Sequence, residues 1–466
     1  MRTPVLVGVL VVNAFASWAL AADIEVSLGF AGSLVSGAWN PLEVQLRDQP
    51  PARLLIEIDQ GSLRDGPQWV RYDVSLAGGR GVSLHQDDIY VPARWQQFIW
   101  SVRTPDTVLA SGSLDRRQLD IRPLQLVVAR DIGVARAWFG RDERVVDVLA
   151  SNLPERAAAY DGVESLVLLE ANSRISLGSV AAAATAGVTV ALVDPLDTSL
   201  SELDALAPAD LTPLGSGAIV RTTLGNWSRA RTSLAPLPTD DLAEALLVGL
   251  LETPPHVLNQ RMVVLLATAY SALVLILIAW GGTPGLVSSV LLSVALSLAG
   301  WIYLRPDDNL LIRSRRLSVS RGGLAYVLER QRIVSFPEQR LELDQAAYAL
   351  GRSSWDISDA GLTLTMPRWS QDALALKPRL EPAVLTWQGG ALQNSGTVTL
   401  SDVFVFNYGR QADLAPQASQ DVTLEQDALI PDMYAALAAY LPAGSALARR
   451  GGTIYVALPA PDIPTL

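Results

Sequence analysis

The sequence predicts a multidomain protein in which two mainly β domains flank an α/β domain and a pair of transmembrane helices. Three observations lead to this. The hydrophobic pattern changes from alternating to continuous near residue 122 and returns to alternation after residue 305. Two long uncharged apolar segments lie just before the point where alternation returns. At 466 residues, the chain also exceeds the size at which one hydrophobic core keeps growing.

Residues 1–22 have the organisation of a secretory signal peptide. Arg2 forms a short positive region, Val5 to Val12 is apolar, and Ala19-Leu20-Ala21 fits a cleavage site. We expect export, with the segment either cleaved or retained as an anchor. The absence of Cys excludes disulfides, thiolate metal sites, Cys nucleophiles and a lipid-modified Cys anchor.

Residues 23–121 predict an antiparallel β-sandwich, because short alternating apolar runs are separated by turn residues. Trp39, two residues before Pro41, is expected to be a core residue rather than a ligand contact. The predicted strands are Ile24 to Leu28, Leu42 to Leu46, Leu54 to Ile58, Trp69 to Leu76, Val82 to Tyr90 and Gln97 to Val102.

Residues 122–235 predict an α/β domain, because continuous Val- and Leu-rich runs alternate with helical stretches, as in parallel sheets. The predicted strands are Leu124 to Ala129, Ser165 to Leu169, Val188 to Val193 and Gly217 to Thr222. The predicted helices are Arg144 to Leu153 and Ile175 to Ala186.

A transmembrane helical hairpin is predicted over residues 262–304, after a linker over residues 236–261. Met262 to Trp280 and Leu286 to Leu304 are uncharged, and each contains ten Val, Leu or Ile residues. Gly281 to Gly285 is expected to be a tight turn, which places both flanks on one side of the membrane. Small residues at helical spacing predict close packing of the two helices: Ala267 and Ser271 on one, and Ser289, Ser293 and Ser297 on the other.

The positive-inside rule conflicts with export of the flanks, because the turn has no Arg whereas the flanks have several: Arg261, Arg305, Arg313, Arg315 and Arg316. We give the export signal precedence, since long domains cross largely regardless of charge. The expected location is the bacterial cytoplasmic (inner) membrane, with both large domains on the periplasmic side.

Residues 305–466 return to β patterning and predict a C-terminal β-rich domain, with one amphipathic helix over Asp432 to Leu441. The predicted strands are Leu310 to Arg313, Leu317 to Val319, Ile333 to Phe336, Leu362 to Met366, Ala383 to Trp387, Thr397 to Phe406 and Gly452 to Leu458.

The order of these domains resembles that of uncharacterised bacterial envelope membrane proteins whose middle domain is similar to class I glutamine amidotransferases. The similarity lies in the segment Val163 to Leu169, followed by Ser179 to Val190 with its Gly187 turn, and in the paired-strand segments Gly390 to Ser395, Leu400 to Val403 and Asp413 to Pro416. The resemblance implies a flavodoxin-like α/β fold for residues 122–235.

The catalytic residues of active amidotransferases do not carry over to this chain. These enzymes need a Cys with a His and an acid, whereas this chain has no Cys. Its two histidines, His85 and His256, lie outside the α/β segment, and no Gly-x-Ser-x-Gly elbow occurs there. We therefore predict a protein that is not an enzyme. A hydrolase with an unfamiliar Ser and acid pair remains as an alternative.

Other candidate sites are weak. His85, Asp87 and Asp88 form the best group for a metal, but a solvated strand face is the preferred interpretation, and no metal or cofactor is predicted. Asp194 follows a central strand at the edge where open α/β sheets bind ligands, although a loop-capping role is preferred. Gly215-Ser216-Gly217 is interpreted as a turn, since it lacks the Lys and helix of a phosphate loop.

The expected partners are the lipid bilayer and other envelope proteins. A net charge of -11 disfavours nucleic acid, which needs clustered Lys and Arg. Lys377 is the only Lys, and no function is attached to it. The leading hypothesis is a non-catalytic, membrane-anchored periplasmic interaction platform. The alternative is a ligand-binding module that uses the α/β crevice near Asp194 for a small molecule or glycan fragment.

Overall fold

The computed structural model describes most of the folded mass on both sides of the predicted hairpin. It covers residues 23–60, 69–93, 95–114, 119–129, 139–140, 142–169, 175–193, 206–207, 209–223, 226–227, 242, 245, parts of 268–294, 310–335, 338–343, 347–349, 354–366, 370–388, 390–424 and 429–459. The predicted signal peptide and almost all of the predicted linker lie outside these residues.

The N-terminal segment contains all six strands predicted for it and three more. They are Ile24–Leu28 (β1), Leu34–Val35 (β2), Ala38–Arg47 (β3), Ala52–Asp59 (β4), Trp69–Leu76 (β5), Val82–Val91 (β6), Gln97–Arg103 (β7), Val108–Ser113 (β8) and Leu119–Asp120 (β9). Strands β1, β3 and β6 form one antiparallel sheet, and β5, β4, β7 and β8 belong to another. Their inward side chains alternate with exposed ones, which is the burial pattern of a sandwich.

Within the described residues, the middle segment contains six strands and one α-helix. They are Leu124–Val128 (β10), Arg144–Asp147 (β11), Val163–Leu168 (β12), Leu177–Thr185 (α1), Thr189–Val193 (β13), Leu211–Leu214 (β14) and Gly217–Thr222 (β15). The sheet order is β11-β10-β12-β13-β15-β14. All neighbours pair in parallel except β14 with β15. This mixed, largely parallel sheet confirms the predicted α/β character.

The prediction of a helix over Arg144 to Leu153 was wrong. Residues Arg144–Asp147 form the edge strand β11, and a 3₁₀ turn follows at Ala150–Asn152. Val145 and Val146 pair in parallel with β10, and β-branched side chains suit such a position. Tertiary pairing outweighed the helical spacing of the apolar residues.

Helix α1 ends at Thr185, one residue before the predicted end at Ala186. Gly187 has a φ of +105°, a conformation that residues with a side chain rarely adopt. The amide of Val188 donates to the Ala183 carbonyl, which ties the residue after the turn back to the last turn of the helix. The chain then enters β13 directly.

The described part of the C-terminal segment contributes fifteen strands and a helix. They are Leu310–Ser320 (β16), Leu324–Ser335 (β17), Gln339–Leu343 (β18), Ala347–Ala349 (β19), Ser354–Ser358 (β20), Gly361–Met366 (β21), Ser370–Leu376 (β22), Arg379–Pro382 (β23), Leu385–Gln388 (β24), Ala391–Asn394 (β25), Ser401–Val405 (β26), Gly409–Arg410 (β27), Ser419–Asp421 (β28), Asp432–Ala438 (α2), Ala446–Arg450 (β29) and Thr453–Ala457 (β30). The helix begins at the predicted residue, and most strands form a sheet around β17-β16-β30-β29.

Strands from the C-terminal segment complete the N-terminal sandwich. The sheet order β18-β21-β20-β5-β4-β7-β8 joins β20 to β5 in parallel, with Trp355 opposite Val70 and Asp356 opposite Arg71. Trp355 is 1% exposed and belongs to the sandwich core. The segments before and after the predicted hairpin therefore share one sheet.

One large core joins the middle and C-terminal segments. Leu126 and Leu166 of the α/β sheet belong to the same buried cluster as Leu317 and Tyr326 of the C-terminal sheet. On the opposite face of the α/β sheet, Val127 and Val167 pack with Trp227 in a separate cluster. Strands buried on both faces explain the continuous apolar runs in the sequence.

The predicted hairpin is described only in part. Residues 270–276 and 281–285 are helical, so the prediction of a tight turn at Gly281 to Gly285 was wrong. Gly282 has a φ of +52° within that helical stretch. Tyr270 Oη and Ser293 Oγ form a hydrogen bond, so the chain folds back between them. Among the described residues, no helix combines the length and hydrophobicity that a membrane crossing requires.

Candidate functional site at the junction of three segments

A group of charged side chains joins the N-terminal, middle and C-terminal segments. Asp88 on β6 has a fully buried side chain and accepts a hydrogen bond from Arg156 Nε at 3.0 Å. Lys377 Nζ lies 2.9 Å from Asp88 Oδ2 and 3.1 Å from Asp87 Oδ1. We call Asp87, Asp88, Arg156 and Lys377 the interdomain clasp. Each of the three segments supplies at least one member.

The clasp keeps Lys377 protonated. Burial lowers the pKa of Lys377, but the charges of Asp88 and Asp87 and their hydrogen bonds outweigh it, so the pKa is raised above its ordinary value. Its ammonium also lies 5.5 Å from the centre of the Trp39 ring, a favourable cation-π distance. A buried carboxylate with two cationic partners suits a structural role, because removing either partner leaves charge uncompensated.

Asp161 makes a second connection among the same segments. Its Oδ2 accepts the Trp39 amide at 3.2 Å, and its Oδ1 lies 3.4 Å from Tyr326 Oη. Burial raises the pKa of Asp161, and the Trp39 amide, Arg330 and Tyr326 oppose that shift only in part. The middle segment therefore reaches the sandwich and the C-terminal sheet through one side chain.

Aromatic rings surround this junction. Tyr90 and Tyr348 stack face to face, and Trp39 lies edge-on to both at 5.9 Å. Tyr72 donates its hydroxyl to the Tyr90 carbonyl at 2.8 Å and packs against Trp355. Since Tyr348 and Trp355 come from the C-terminal segment, the rings continue the connection made by the clasp. Trp39 is 2% exposed, which agrees with the core role predicted for it.

A groove of about 340 Å³ opens beside the clasp, between the β1-β3-β6 sheet and the end of β11. The residues that line it include Glu25, Glu43, Asp147 and Arg156. Asp147 Oδ1 is enclosed and has no hydrogen-bond partner among the residues that the structure describes. Leu149, at the rim, is 68% exposed. The groove is thus acidic along its walls and apolar at one edge.

Two of the residues predicted as a possible metal group, Asp87 and Asp88, are paired with Lys377. Asp88 is buried, so the interpretation as a solvated strand face was wrong for this residue. Alternation along β6 does place Asp88 opposite Asp87, but that face is covered by Arg156. Within the residues that the structure describes, no cluster of three or more His, Asp or Glu could hold a metal ion.

The other sequence candidates add little to this site. Asp194 lies outside the described residues. Gly215 and Ser216 form the turn between β14 and β15, as the sequence predicted. Gly215 has a φ of +62°, and a Cβ there would lie 2.3 Å from Thr185 Cα, so the turn requires glycine.

Sequence reasoning missed the residues that connect the segments. Lys377 carried one signal, which is that it is the only Lys of the chain, where Arg supplies all other side-chain cations. A compact ammonium fits between two adjacent carboxylates and beneath a Trp ring, whereas a planar guanidinium has a different shape. Asp161 and Arg156 carried no signal, because only tertiary packing brings them to their partners.

Comparison with known proteins yields no relative. No family model, curated protein or solved structure matches the chain.

Proposed function

We propose that the chain is a non-catalytic cell-envelope protein, anchored by a transmembrane hairpin, whose extramembrane segments form one interaction platform. The parallel pairing of β5 with β20 carries the proposal. A sheet built from segments before and after residues 262–304 requires both segments to lie on the same side of a membrane. The number of membrane crossings between the two segments must then be even, as in a two-helix hairpin.

The exposed side chains of the partly described hairpin support an anchor. Seven large aliphatic residues are 41% to 67% exposed there: Leu273, Leu275, Ile276, Ile278, Val287, Val290 and Val294. Apolar surface of this kind is costly in water, and lipid would cover it. The hydrogen bond of Tyr270 to Ser293 supports the antiparallel arrangement.

Single-Cys labelling tests the anchor and its orientation, because the chain has no Cys of its own. Two variants are Val108→Cys and Tyr408→Cys, at exposed positions that come before and after the hairpin in sequence. The third is Thr283→Cys, at the proposed tip of the hairpin. We expect a membrane-impermeant maleimide to label the first two in cells with a permeabilised outer membrane. Labelling of Thr283→Cys should require disruption of the inner membrane. Labelling of position 283 without disruption would contradict the proposed orientation.

The strand order supports a flavodoxin-like arrangement of the α/β domain. Numbered along the chain without the antiparallel β14, the parallel strands have the order 2-1-3-4-5, which is the flavodoxin-like order. This agrees with the proposed similarity to class I glutamine amidotransferases at the level of fold. Fold similarity does not bring activity with it.

The acidic groove beside the clasp is the surface that we assign to a partner. Glu25, Glu43 and Asp147 favour a basic segment, and the exposed Leu149 offers an apolar contact at the rim. A photo-crosslinking amino acid at Leu149 should give an adduct of one defined mass in intact cells. The same group at Val108, which is 61% exposed, is the control. Replacing Glu25 and Glu43 by Gln should abolish the adduct, and an adduct unaffected by these changes would contradict the assignment.

A ligand-binding function is the second candidate, favoured by the sheet order. In open α/β sheets, ligands bind where the strand order reverses, which is here between β10 and β12. Asp194 follows β13, one strand away from this position. A small molecule or glycan fragment should then raise the melting temperature of the protein. Loss of this effect in Asp194→Asn would support ligand binding over the platform.

A further inference from the structure

A second cleft, of about 650 Å³, is formed by the β24-β25 hairpin, the loops on either side of it and the β29-β30 hairpin. Its volume is within the range of small-molecule sites, which is about 300 to 1,000 Å³. All the described residues that line it come from the C-terminal segment, so the cleft is separate from the acidic groove. The polar side chains that line it include Glu381, Thr386, Gln393, Thr397, Arg450 and Tyr455.

Two strand pairings bring four of these side chains together. Arg450 and Tyr455 lie on one face of the β29-β30 hairpin, as diagonal neighbours about 7 to 8 Å apart. Thr386 and Gln393 lie directly opposite each other in the β24-β25 hairpin. Since both hairpins line the cleft, hydroxyl, amide and guanidinium groups are collected at one place.

Arg450 gives the cleft a surplus positive charge. Glu381 is paired with Arg316 and with Arg379, and Arg379 Nη2 also lies 3.5 Å from Glu329 Oε2. These two arginines and two glutamates balance one another. Arg450 is exposed and takes part in no ion pair within the part of the chain that the structure describes. The cleft therefore favours a ligand that carries a negative group.

The neutral polar groups of the cleft favour a ligand with hydroxyl groups. Among the described residues, the side chains of Thr386, Gln393 and Tyr455 make no hydrogen bond. Hydroxyl and amide groups both donate and accept, and they therefore match the hydroxyl groups of a sugar. A simple carboxylate would leave these groups unused, whereas a sugar with a carboxylate would use them together with Arg450.

Hydrogen bonds hold one wall of the cleft in place. Asn394 is fully buried, donates to the Val398 carbonyl at 2.9 Å and accepts the Gly396 amide at 2.9 Å. Ser395 Oγ donates to the Ala383 carbonyl at 2.5 Å. A wall that is ordered before the ligand arrives lowers the entropic cost of binding.

We propose that this cleft binds an acidic sugar, with Arg450 holding its carboxylate and with Thr386, Gln393 and Tyr455 holding its hydroxyl groups. A guanidinium and a carboxylate can form two parallel hydrogen bonds, which fixes the orientation of the ligand. Two sources supply this chemistry, namely polysaccharides that contain uronic acids and cell walls that contain muramic acid. The proposal goes beyond the interaction platform and does not rest on the membrane anchor.

Calorimetric titration of the full chain tests the proposal, in a detergent whose headgroup is not a sugar. The probes are glucuronic acid, N-acetylmuramic acid, glucose and acetate. We expect one of the two acids to bind about tenfold more tightly than glucose, because a hydrogen bond to a charged group contributes more than one between neutral groups. Acetate should also bind more weakly than this acid, since a site built for hydroxyl groups rejects an analogue that lacks them. The acid with the higher affinity identifies the source.

Three variants assign the roles of the side chains. Arg450→Gln should weaken binding of the acid about tenfold and leave glucose binding unchanged. Gln393→Leu should weaken binding of the acid and of glucose alike, about fivefold. Arg449→Gln is the matched control, because Arg449 is an exposed neighbour on the other face of β29, and it should bind the acid as the wild type does. Unchanged thermal unfolding of each variant shows that folding is intact.

Four results would each overturn the proposal: no binding of either acid, equal affinity for the acids and glucose, equal affinity for the acids and acetate, or equal losses in Arg449→Gln and Arg450→Gln. Equal affinity for acetate would indicate a site for a simple anion. The membrane orientation is tested separately by the Cys labelling described above. A failure of sugar binding therefore leaves the proposed platform standing, and a failure of the labelling test leaves the cleft standing.

Discussion

Lys377 Nζ lies 2.9 Å from the buried Asp88 Oδ2. Asp88 comes before the predicted membrane hairpin in sequence, and Lys377 comes after it. Their contact forms only after the C-terminal segment has joined the N-terminal one. The same holds for the stack of Tyr90 on Tyr348 and for the pairing of β5 with β20. The contacts that surround the clasp thus depend on residues from both segments.

Replacing Lys377 by Met should destabilise the protein by about 2 kcal/mol, since a buried carboxylate loses one charged hydrogen-bond partner but keeps Arg156. The free energy of unfolding in urea measures the effect. Arg379→Met is the control, because Arg379 is 43% exposed and pairs with Glu329 and Glu381, neither of which is fully buried. A variant at Lys377 as stable as the wild type would show that the clasp contributes nothing.

The raised pKa of Lys377 also predicts an alkaline effect. A Lys whose pKa is higher in the folded state stabilises the fold below its unfolded pKa, and this stability is lost as pH rises through the folded value. The stability difference between wild type and Lys377→Met should therefore shrink above about pH 10.4. A difference that stays constant through that range would contradict the charge interaction.

Asp161→Asn should change the pH dependence of stability in the acidic to neutral range. Burial raises the pKa of Asp161, so in the wild type the folded state holds its proton more tightly than the unfolded state does. This stabilisation is complete below the unfolded pKa and is lost as pH rises through the folded pKa. Relative to the variant, the wild type should lose stability as pH rises from about 4. A parallel pH profile for the two proteins would refute the shift.

Trp355→Ala should destabilise the N-terminal sandwich by about 3 to 5 kcal/mol, although Trp355 follows the hairpin in sequence. The ring is 1% exposed and packs against Tyr72 on β5. Hydrogen exchange at the amides of β4 and β5 should accelerate, which reports on the sandwich itself. Val108→Ala, at an exposed edge position, should leave these rates unchanged. Faster hydrogen exchange that is confined to residues after 310 would argue against a shared sheet.

Local patterns predicted the strands better than their partners. Trp69–Leu76 and Gly217–Thr222 were predicted with the observed bounds, because alternation and continuous apolar runs reflect burial directly. Nothing in Ser354–Ser358 indicates that it pairs with β5, since pairing across distant segments leaves no local periodicity. Edge strand β11 was predicted as a helix because its pairing with β10 likewise leaves no local signal in the sequence.

The candidate site was less predictable than the fold. Asp88 lies on a strand face that the sequence indicated as solvated, and only the covering Arg156 and Lys377 reverse this. Charges that compensate one another across domains look individually like surface residues. The uniqueness of Lys377 was visible in the sequence, but its meaning depends on the two carboxylates beside it.

A disulfide between β5 and β20 tests the shared sheet most directly, in a chain with no Cys of its own. Arg71 and Asp356 are exposed register partners, and Arg71→Cys with Asp356→Cys should crosslink in the intact protein. Formation of this disulfide in cells without added oxidant would also agree with a location in the oxidising periplasm. Arg53→Cys with Asp356→Cys, which places the first thiol on β4, should not crosslink. Absence of the Arg71→Cys and Asp356→Cys crosslink even with added oxidant would contradict the account.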